Sequence, residues 1–319
     1  MPGESGTEHA HPRLRHGDRS RTIPLFISHH RHHLHRQWQG LPDLHLRHHV
    51  GVGLTVHQRP PLPAPLGSAP SLSGTWLEDN NDAACTSMRA RPRWLLLHGT
   101  PLTPRVWDEV GALLAPIRPV VAPVLPRPGS QTDIARRVLA SLDDAQAPLH
   151  VVGHSFGGQV AIEVAFAAPW RLASLTILCS RASPFPAFAS SAESLRHGDP
   201  VDVQGTLARW FLPAELAADG PLVRFVRSCI AGADRARWAD DLQAIAGYDR
   251  TGDLERIETP TRVIAAELDR VGAPDEMQAL AGAIPGAEFV LVSHASHMSQ
   301  FLDPVALAER IAGTPVTRR

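Results

Sequence analysis

Lysine is absent from this chain: all 31 basic residues are arginine, which excludes a lysine base and a lysine Schiff base. Cysteine is scarce, with three residues that lie far apart in sequence. This odd number indicates reduced thiols rather than a disulfide framework. None of the three lies in a Cys-x-x-Cys pair, so the sequence indicates neither thiol redox chemistry nor a zinc knuckle.

Long apolar runs and a large net charge are also missing. No stretch approaches the roughly 18 uninterrupted apolar residues of a membrane span, and the N-terminus lacks the apolar core of a secretory signal. The 319 residues are 43% hydrophobic with a formal net charge of -1, which is typical of a globular protein. We therefore expect a cytoplasmic protein with neither a nucleic acid nor a membrane as partner.

Residues 1–87 differ in composition from the rest of the chain. They hold 12 of the 18 histidines and show no sustained period of 2 or 3.6 residues. We expect this leader to be largely disordered, because it buries too little apolar area to offset its conformational entropy. The histidine-rich tract from His29 to His35 is typical of a metal-binding segment or of a solvated tail, and we interpret it as a tail. A second interpretation is that the leader is out-of-frame translation of GC-rich sequence and that the native chain starts at Met88.

From Trp94 onward, strand-like and helical patterns alternate, which predicts an α/β domain over residues 88–319 with a mostly parallel sheet and crossover helices. The predicted strands are Trp94–His98, Val120–Val124, His150–His154, Ser174–Cys179, Arg262–Ala266 and Glu288–Val292. The predicted helices are Pro104–Leu114, Thr132–Leu142, Phe156–Phe166, Pro274–Ala283 and Pro304–Ala312. Residues 183–254 interrupt this alternation with helical patches such as Val203–Phe211 and Pro221–Ile230. An insertion of this length before the late strands predicts a small helical cap.

The segment Val151–Gln159 carries a Gly-x-Ser-x-Gly motif between a strand pattern and a helix pattern. Gly153 and Gly157 allow the strand to meet the helix at a sharp corner, which holds Ser155 in a strained conformation with its hydroxyl exposed. The helix that begins at Phe156 adds free backbone N–H groups and the positive end of its dipole. Ser155 is therefore the candidate nucleophile.

Four further features occur along the chain in a fixed order relative to this motif. They are His98-Gly99-Thr100-Pro101 after the first strand, the helical insertion, Glu267-Leu268-Asp269 after a late strand, and Ser296-His297-Met298 followed by Asp303-Pro304. Together with Ser155 they resemble the α/β-hydrolase superfamily over about residues 92–315. The chain order of serine, then acid, then histidine is that of the superfamily.

The chemistry of the residues agrees with the roles that this resemblance implies. Ser155 needs an adjacent base to remove its proton, and His297 is the candidate because neutral imidazole titrates near working pH. Asp269 would hold the imidazole in the correct tautomer and stabilise the imidazolium. The backbone N–H groups of Thr100 and Phe156 would form the oxyanion hole.

Each candidate has a competitor. His294 is an alternative base, but only His297 has a proline seven positions on, at the expected helix start. Glu267 is an alternative acid, but it lies closer to the strand than Asp269, which follows on the turn.

Three other polar residues receive structural interpretations. We expect His154 to pack behind the nucleophile, because neighbouring strand residues point to opposite faces. His98 is interpreted as a structural residue of the oxyanion loop. Cys179 ends a strand and is interpreted as a buried apolar residue.

The predicted reaction is hydrolysis of a small carboxylic ester through an acyl-enzyme on Ser155, with no metal and no organic cofactor. C–C bond hydrolase, enol-lactonase, thioesterase, perhydrolase and a hydrolase-fold ligand receptor with slow turnover remain as alternatives. A hydroxynitrile lyase is disfavoured because the lyases of the superfamily rely on a lysine. The aromatic residues of the insertion either line an acyl pocket or form ordinary core: Phe185, Phe188, Trp210, Phe211, Phe225 and Trp238, together with Leu212.

Overall fold

The computed structural model describes residues 91–314 and Val316, so the predicted leader lies outside the described residues. Its strands form one six-stranded parallel sheet in the order β2-β1-β3-β4-β5-β6. The strands are β1 (Arg93–Leu97), β2 (Val120–Val121), β3 (Leu149–His154), β4 (Leu172–Leu178), β5 (Thr261–Ala266) and β6 (Glu288–Val292). Strands β1, β3, β4 and β5 are rich in buried apolar residues, as expected for a parallel sheet covered on both faces. The predicted fold class is confirmed.

Ten α-helices accompany this sheet within the described residues. Five flank it: α1 (Asp108–Leu114), α2 (Gln131–Ala140), α3 (Phe156–Ala167), α9 (Pro274–Ala283) and α10 (Pro304–Ala312). The other five lie between β4 and β5: α4 (Ala187–His197), α5 (Val203–Trp210), α6 (Pro213–Ala218), α7 (Pro221–Ala231) and α8 (Arg235–Gly247). The described interval 183–254 contains these helices and no strand. None of the described helices combines the length and the apolar character needed to cross a bilayer.

The predicted second strand is too long. Only Val120 and Val121 pair with β1, whereas the sequence pattern predicts a strand to Val124. Pro123 has no backbone N–H to donate, and an edge strand has only one neighbour to hold it in register. The first predicted helix also begins differently, with a 3-10 turn over Pro104–Trp107 before α1.

The strand order places a crevice beside the carboxyl ends of β1 and β3. The chain moves from β1 outward to β2, then crosses back to β3 on the other side of β1. Because parallel crossovers are right-handed, this reversal puts successive helices on opposite faces and leaves the crevice between β1 and β3. The loop after β1 begins at His98, and Ser155 follows β3 directly. Both candidate loops therefore meet at the point where open α/β sheets bind ligands.

A buried carboxylate joins the helical insertion to the sheet domain. Glu163 on α3 has a side chain only 1% exposed and receives a bidentate pair from Arg250, at 2.7 and 2.9 Å. The Thr132 and Tyr248 hydroxyls also donate to it, at 2.7 and 3.0 Å. Burial raises the pKa of Glu163, but the hydrogen bonds from Arg250 and Thr132 outweigh burial and hold the pKa below its ordinary value. The glutamate therefore remains ionised at neutral pH.

Glu163→Gln is expected to lower the free energy of unfolding by about 3 kcal/mol, because it leaves buried donors facing an amide. Urea unfolding followed by circular dichroism measures this loss. The matched control is Glu288→Gln, since Glu288 also receives two bonds from one arginine, Arg262, but is 57% exposed. That exposed pair should contribute less than about 1 kcal/mol. Equal losses in the two variants would contradict the prediction.

Candidate active site

The backbone at Ser155 is strained in the way that the motif predicts. Its φ is 55° and its ψ is -123°, a combination that residues with a side chain rarely adopt. The flanking glycines make this turn sterically feasible: a Cβ at Gly153 would collide with the carbonyl of Gly157, and one at Gly157 with the carbonyl of Leu97. The Ser155 N–H donates to the carbonyl of Leu178 at 3.0 Å, which fixes the turn against β4.

His297 and Asp269 lie together in the interior. Nδ1 of His297 is 2.8 Å from Oδ2 of Asp269, and both side chains are at most 2% exposed. Burial raises the pKa of Asp269. The interaction with His297 and the hydrogen bond from the Val271 N–H lower the pKa by more, so the net pKa is below the ordinary value. Asp269 is therefore ionised at neutral pH and accepts a hydrogen bond from the Nδ1–H of His297.

The loop that carries His297 is fixed by the end of helix α5. The carbonyl of Trp210 accepts hydrogen bonds from the Ser296 hydroxyl at 2.6 Å and from the Met298 N–H at 3.0 Å. These two donors flank His297 in sequence, and the Trp210 ring lies 5.8 Å from the imidazole, measured between centroids. The helical insertion thus holds the imidazole from one side.

The two competing residues lie elsewhere. His294 and Glu267 are both exposed, and Glu267 accepts a hydrogen bond from the His294 backbone N–H at 2.7 Å. Neither belongs to the buried pair. The geometry therefore brings His297 and Asp269 together and leaves out the alternative base and acid.

The candidate oxyanion donors come from two segments that meet at the nucleophile turn. Thr100 belongs to the loop after β1, and Phe156 is the first residue of α3, where backbone N–H groups have no helical acceptor. Ideal Cβ geometry at Gly99 would place that atom 3.0 Å from Cβ of Ser155, so the β1 loop touches the nucleophile turn. No hydrogen bond joins the Ser155 hydroxyl to His297 in the described part of the chain.

His98 and His154 are both buried and neutral. Burial lowers the pKa of His98 to about 4 and that of His154 to about 3. Nδ1 of His98 lies 2.8 Å from the carbonyl of Gly99, and Nε2 of His154 lies 3.2 Å from the carbonyl of His297. Each ring therefore contacts a loop backbone, in agreement with the structural roles expected from sequence.

Cys179 lies closer to the site than the sequence indicates. Its thiol sulfur, an Asp269 carboxylate oxygen and a His297 ring nitrogen lie within 4.8 Å of one another, and all three residues are buried. This spacing suits a metal ion. However, burial raises the pKa of Cys179 well above its ordinary value, and a protonated thiol is a poor metal ligand. The Gln300 amide also donates to the sulfur at 3.2 Å.

The pocket that touches Ser155 is small. A cavity of about 10 Å³ touches Ser155, and its walls include Phe188 from α4 and Ile245 from α8. Phe188 also borders a larger cavity of about 220 Å³ inside the helical insertion, which Trp210 and Trp238 line. Three of the aromatic residues named from sequence therefore line this larger cavity, and one of them, Phe188, also lines the pocket at Ser155.

One part of the site escapes prediction from sequence. Asp241 on α8 pairs with Arg127, which follows β2, and accepts a hydrogen bond from the Thr100 hydroxyl at 2.5 Å. These partners are separated by 114 and 141 residues, and no motif marks them. A cavity of about 450 Å³ lies beside them and is lined by His98 as well.

Comparisons with known proteins agree with this geometry. A model of the alpha/beta hydrolase family matches residues 94–310. A RutD protein from Pseudomonas syringae pv. syringae, whose name refers to carbamate hydrolysis, is 29% identical over 208 residues, which cover 63% of this chain and 78% of that protein. The pimeloyl-[acyl-carrier protein] methyl ester esterase of Methylococcus capsulatus is 28% identical over 223 residues, which cover 64% of this chain and 85% of that protein.

A solved structure shows the same architecture. The crystal structure of a hydrolase from Pseudomonas aeruginosa PA01 superposes with a TM-score of 0.65 at 27% identity, covering 70% of this chain and 89% of that one.

Proposed function

This chain belongs to the alpha/beta hydrolase family and is a hydrolase, and from that premise we propose that it cleaves small carboxylic esters through an acyl-enzyme on Ser155. In this mechanism, Ser155 Oγ attacks the carbonyl carbon while His297 Nε2 takes its proton. His297 then gives the proton to the leaving alcohol. Water then attacks the acyl-enzyme while His297 takes its proton. The acid is released, and the proton returns to Ser155 Oγ, which regenerates the enzyme.

The other site residues support this cycle electrostatically. Asp269 keeps the Nδ1 proton in place and stabilises the imidazolium that forms in each half of the reaction. The N–H groups of Thr100 and Phe156 donate to the oxyanion, and each such donor is worth about 2.7 to 4 kcal/mol in the transition state. The positive end of α3 acts in the same direction.

The observation that carries the proposal is the buried hydrogen bond between His297 and Asp269 beside the turn that holds Ser155. Burying the Asp269 carboxylate carries a desolvation penalty, so its pairing with a buried histidine points to a chemical role rather than to stability alone. The ester is preferred because the match to the methyl ester esterase spans 85% of that protein, whereas the match to the RutD protein spans 78%.

Carbamate hydrolysis is the second candidate, favoured by the similarity to a RutD protein. A carbamate presents the same carbonyl to the nucleophile, so the same residues would attack it. The two candidates differ in the group released after attack, which a substrate series can separate.

Labelling with a fluorophosphonate, followed by turnover of p-nitrophenyl esters and p-nitrophenyl N-alkyl carbamates, tests the proposal. Fast release of nitrophenol from esters with continued turnover supports the esterase. A burst followed by slow release from esters, with continued turnover of carbamates, would favour the second candidate. Labelling of Ser155 without turnover of either series would favour a ligand receptor.

We further propose that α4 to α8 form a cap over Ser155 that controls which acyl chains enter. The support is the small cavity at Ser155, whose walls include Phe188 from α4 and Ile245 from α8. Opening of these helices would admit substrate, and closing them would exclude water from the reaction.

Trp210→Ala is expected to shift preference toward longer acyl chains, because Trp210 lines the 220 Å³ cavity that shares Phe188 with the pocket at Ser155. The ratio of kcat/KM for an octanoate ester to that for an acetate ester should rise about tenfold. Phe211→Ala is the matched control, since Phe211 is 3% exposed and lines none of the described cavities. It should lower stability by about 3 to 5 kcal/mol and leave the ratio unchanged. An unchanged ratio in Trp210→Ala would identify that residue as ordinary core.

A further inference from the structure

A buried polar network connects helix α8 to the loops beside the nucleophile. Its centre is Asp241, whose two carboxylate oxygens have different partners: the Arg127 guanidinium pairs with Oδ1, and the Thr100 hydroxyl donates to Oδ2 at 2.5 Å. The side chains of Arg127 and Asp241 are 9% and 8% exposed. An ion pair this far from water interacts strongly, but its burial carries a desolvation penalty.

Arg127 extends the network to the second side of the site. Its guanidinium carbon lies 4.2 Å from the centroid of the Phe156 ring, within range of a cation–π contact. Asp241 therefore contacts Thr100 directly and is linked to Phe156 through Arg127. Thr100 and Phe156 are the two residues whose backbone N–H groups serve as oxyanion donors in the proposed mechanism.

The three partners come from separate parts of the fold. Thr100 follows β1, Arg127 follows β2, and Asp241 is carried by α8 of the helical insertion. A network needed only for stability could be replaced by apolar residues at little cost, since buried ion pairs contribute weakly to net stability. Its position on both oxyanion residues indicates a role in the geometry of the site.

We propose that Asp241 is a positioning residue that, through Thr100 and Arg127, holds the two oxyanion donors in place, so that the oxyanion hole is complete only while α8 is docked. This inference rests on the proposed function. It links the closed position of the cap to catalytic competence, because an undocked α8 releases the Thr100 hydroxyl and leaves Arg127 without its carboxylate. Substrate that allows closure is then hydrolysed, and substrate that holds α8 away is not.

The protonation state of Asp241 gives this network a pH dependence. Burial raises the pKa of Asp241 to about 6, although Arg127 and the Thr100 hydroxyl favour the ionised form. The other charged or titratable groups near this carboxyl are Asp240 on the same helix and the residues along the adjoining cavity: His98, Arg105, Cys229, Asp234 and Arg237. Because the pKa is raised, the carboxyl is neutral below about pH 6, and the pair with Arg127 weakens there.

The first test compares Asp241→Asn with Asp240→Asn. Asp240 is the adjacent residue of α8, but it forms an exposed pair with Arg196 at 3.0 Å. With a p-nitrophenyl acetate substrate, Asp241→Asn should lower kcat about 10- to 100-fold, because displaced oxyanion donors lose part of the 100- to 1,000-fold that one donor supplies. KM should change less than about threefold, since the donors act in the transition state. Asp240→Asn should match the wild type.

The second test removes only the hydroxyl of Thr100. Thr100→Val keeps the backbone N–H and the side-chain shape but cannot donate to Asp241, whereas Thr100→Ser keeps the donor. We expect a loss in kcat of about tenfold or more for the valine variant and near-normal kcat for the serine variant. This pair decides the question if Asp241→Asn fails to fold.

The pH profile provides a readout that a merely structural role would not change. The ratio of wild-type kcat to Asp241→Asn kcat should be largest above about pH 6 and should approach one below it, because the wild-type carboxyl is then protonated as well. A ratio that stays constant across this range would overturn the positioning role.

The outcomes separate this inference from the proposed function. Wild-type protein without Ser155-dependent hydrolysis would overturn the proposed function. Ser155-dependent hydrolysis with normal kcat in both Asp241→Asn and Thr100→Val would overturn the positioning role alone. A rise in KM with unchanged kcat would also overturn it, because it would make Asp241 a residue for ground-state binding.

Discussion

Ser155→Ala is expected to lower kcat for ester hydrolysis by at least about 10⁴-fold while leaving the fold intact. The alanine variant loses the only atom that forms the acyl-enzyme, so any residual activity comes from water attacking within the oxyanion hole. Such residual catalysis amounts to roughly 10³- to 10⁴-fold over the reaction in water. The measurement is steady-state turnover of p-nitrophenyl acetate, together with fluorophosphonate labelling and a thermal unfolding curve.

The unfolding curve of Ser155→Ala carries its own information. Residue 155 has a φ of 55°, and alanine has the same backbone limits as serine. The substitution therefore leaves the backbone strain of the turn unchanged. We therefore expect a melting temperature close to that of the wild type. Ser141→Ala is the control, since the Ser141 hydroxyl only donates to the carbonyl of Val138 at 2.8 Å. Near-normal turnover in Ser155→Ala would show that another residue is the nucleophile.

The strands were predictable from sequence because buried parallel strands are short apolar runs flanked by turns. β6 and the helices α9 and α10 begin and end at the predicted residues. α10 illustrates why: Asp303 accepts a hydrogen bond from the Ala306 N–H at 3.0 Å, and Pro304 follows at the first helical position. These are local signals, which a sequence displays directly.

The candidate site was predictable where local rules apply. The glycines around Ser155 are required by backbone collisions within the turn itself, which the motif encodes. The choice of His297 over His294 depended on distance from a helix start, and the structure places only the first of these beside Asp269. Their catalytic roles stay predictions until the variants are measured.

What the sequence could not indicate are contacts made by the packing of the helical insertion. Asp241 and Arg127 are ordinary charged residues in sequence, and only the docking of α8 buries them together. The small cavity at Ser155 has the same origin, since Phe188 and Ile245 come from different helices of the insertion. Neither pairing follows a short-range rule, because helix packing is decided by long-range shape complementarity.

Asp269→Asn is expected to lower kcat about 10⁴-fold, and the hydrogen bonds around Asp269 explain why an amide cannot substitute for the carboxylate. The Val271 N–H donates to Oδ1 of Asp269 at 2.7 Å, and His297 Nδ1 lies 2.8 Å from Oδ2. An asparagine keeps its oxygen toward the Val271 donor, so its NH₂ group faces Nδ1. His297 then carries its proton on Nε2, where it cannot accept the proton of Ser155.

The control for Asp269→Asn is Glu267→Gln, which makes the same change of acid to amide two residues earlier. Glu267 is exposed and bonds only the backbone N–H of His294, so its amide should leave kcat within about twofold of the wild type. Circular dichroism of both variants checks that the fold is retained, and kcat with p-nitrophenyl acetate is the deciding measurement. If Glu267→Gln loses activity and Asp269→Asn retains it, the acid is Glu267. Comparable losses in both variants would instead place the effect in the loop after β5 as a whole, since the two side chains share no hydrogen-bond partner.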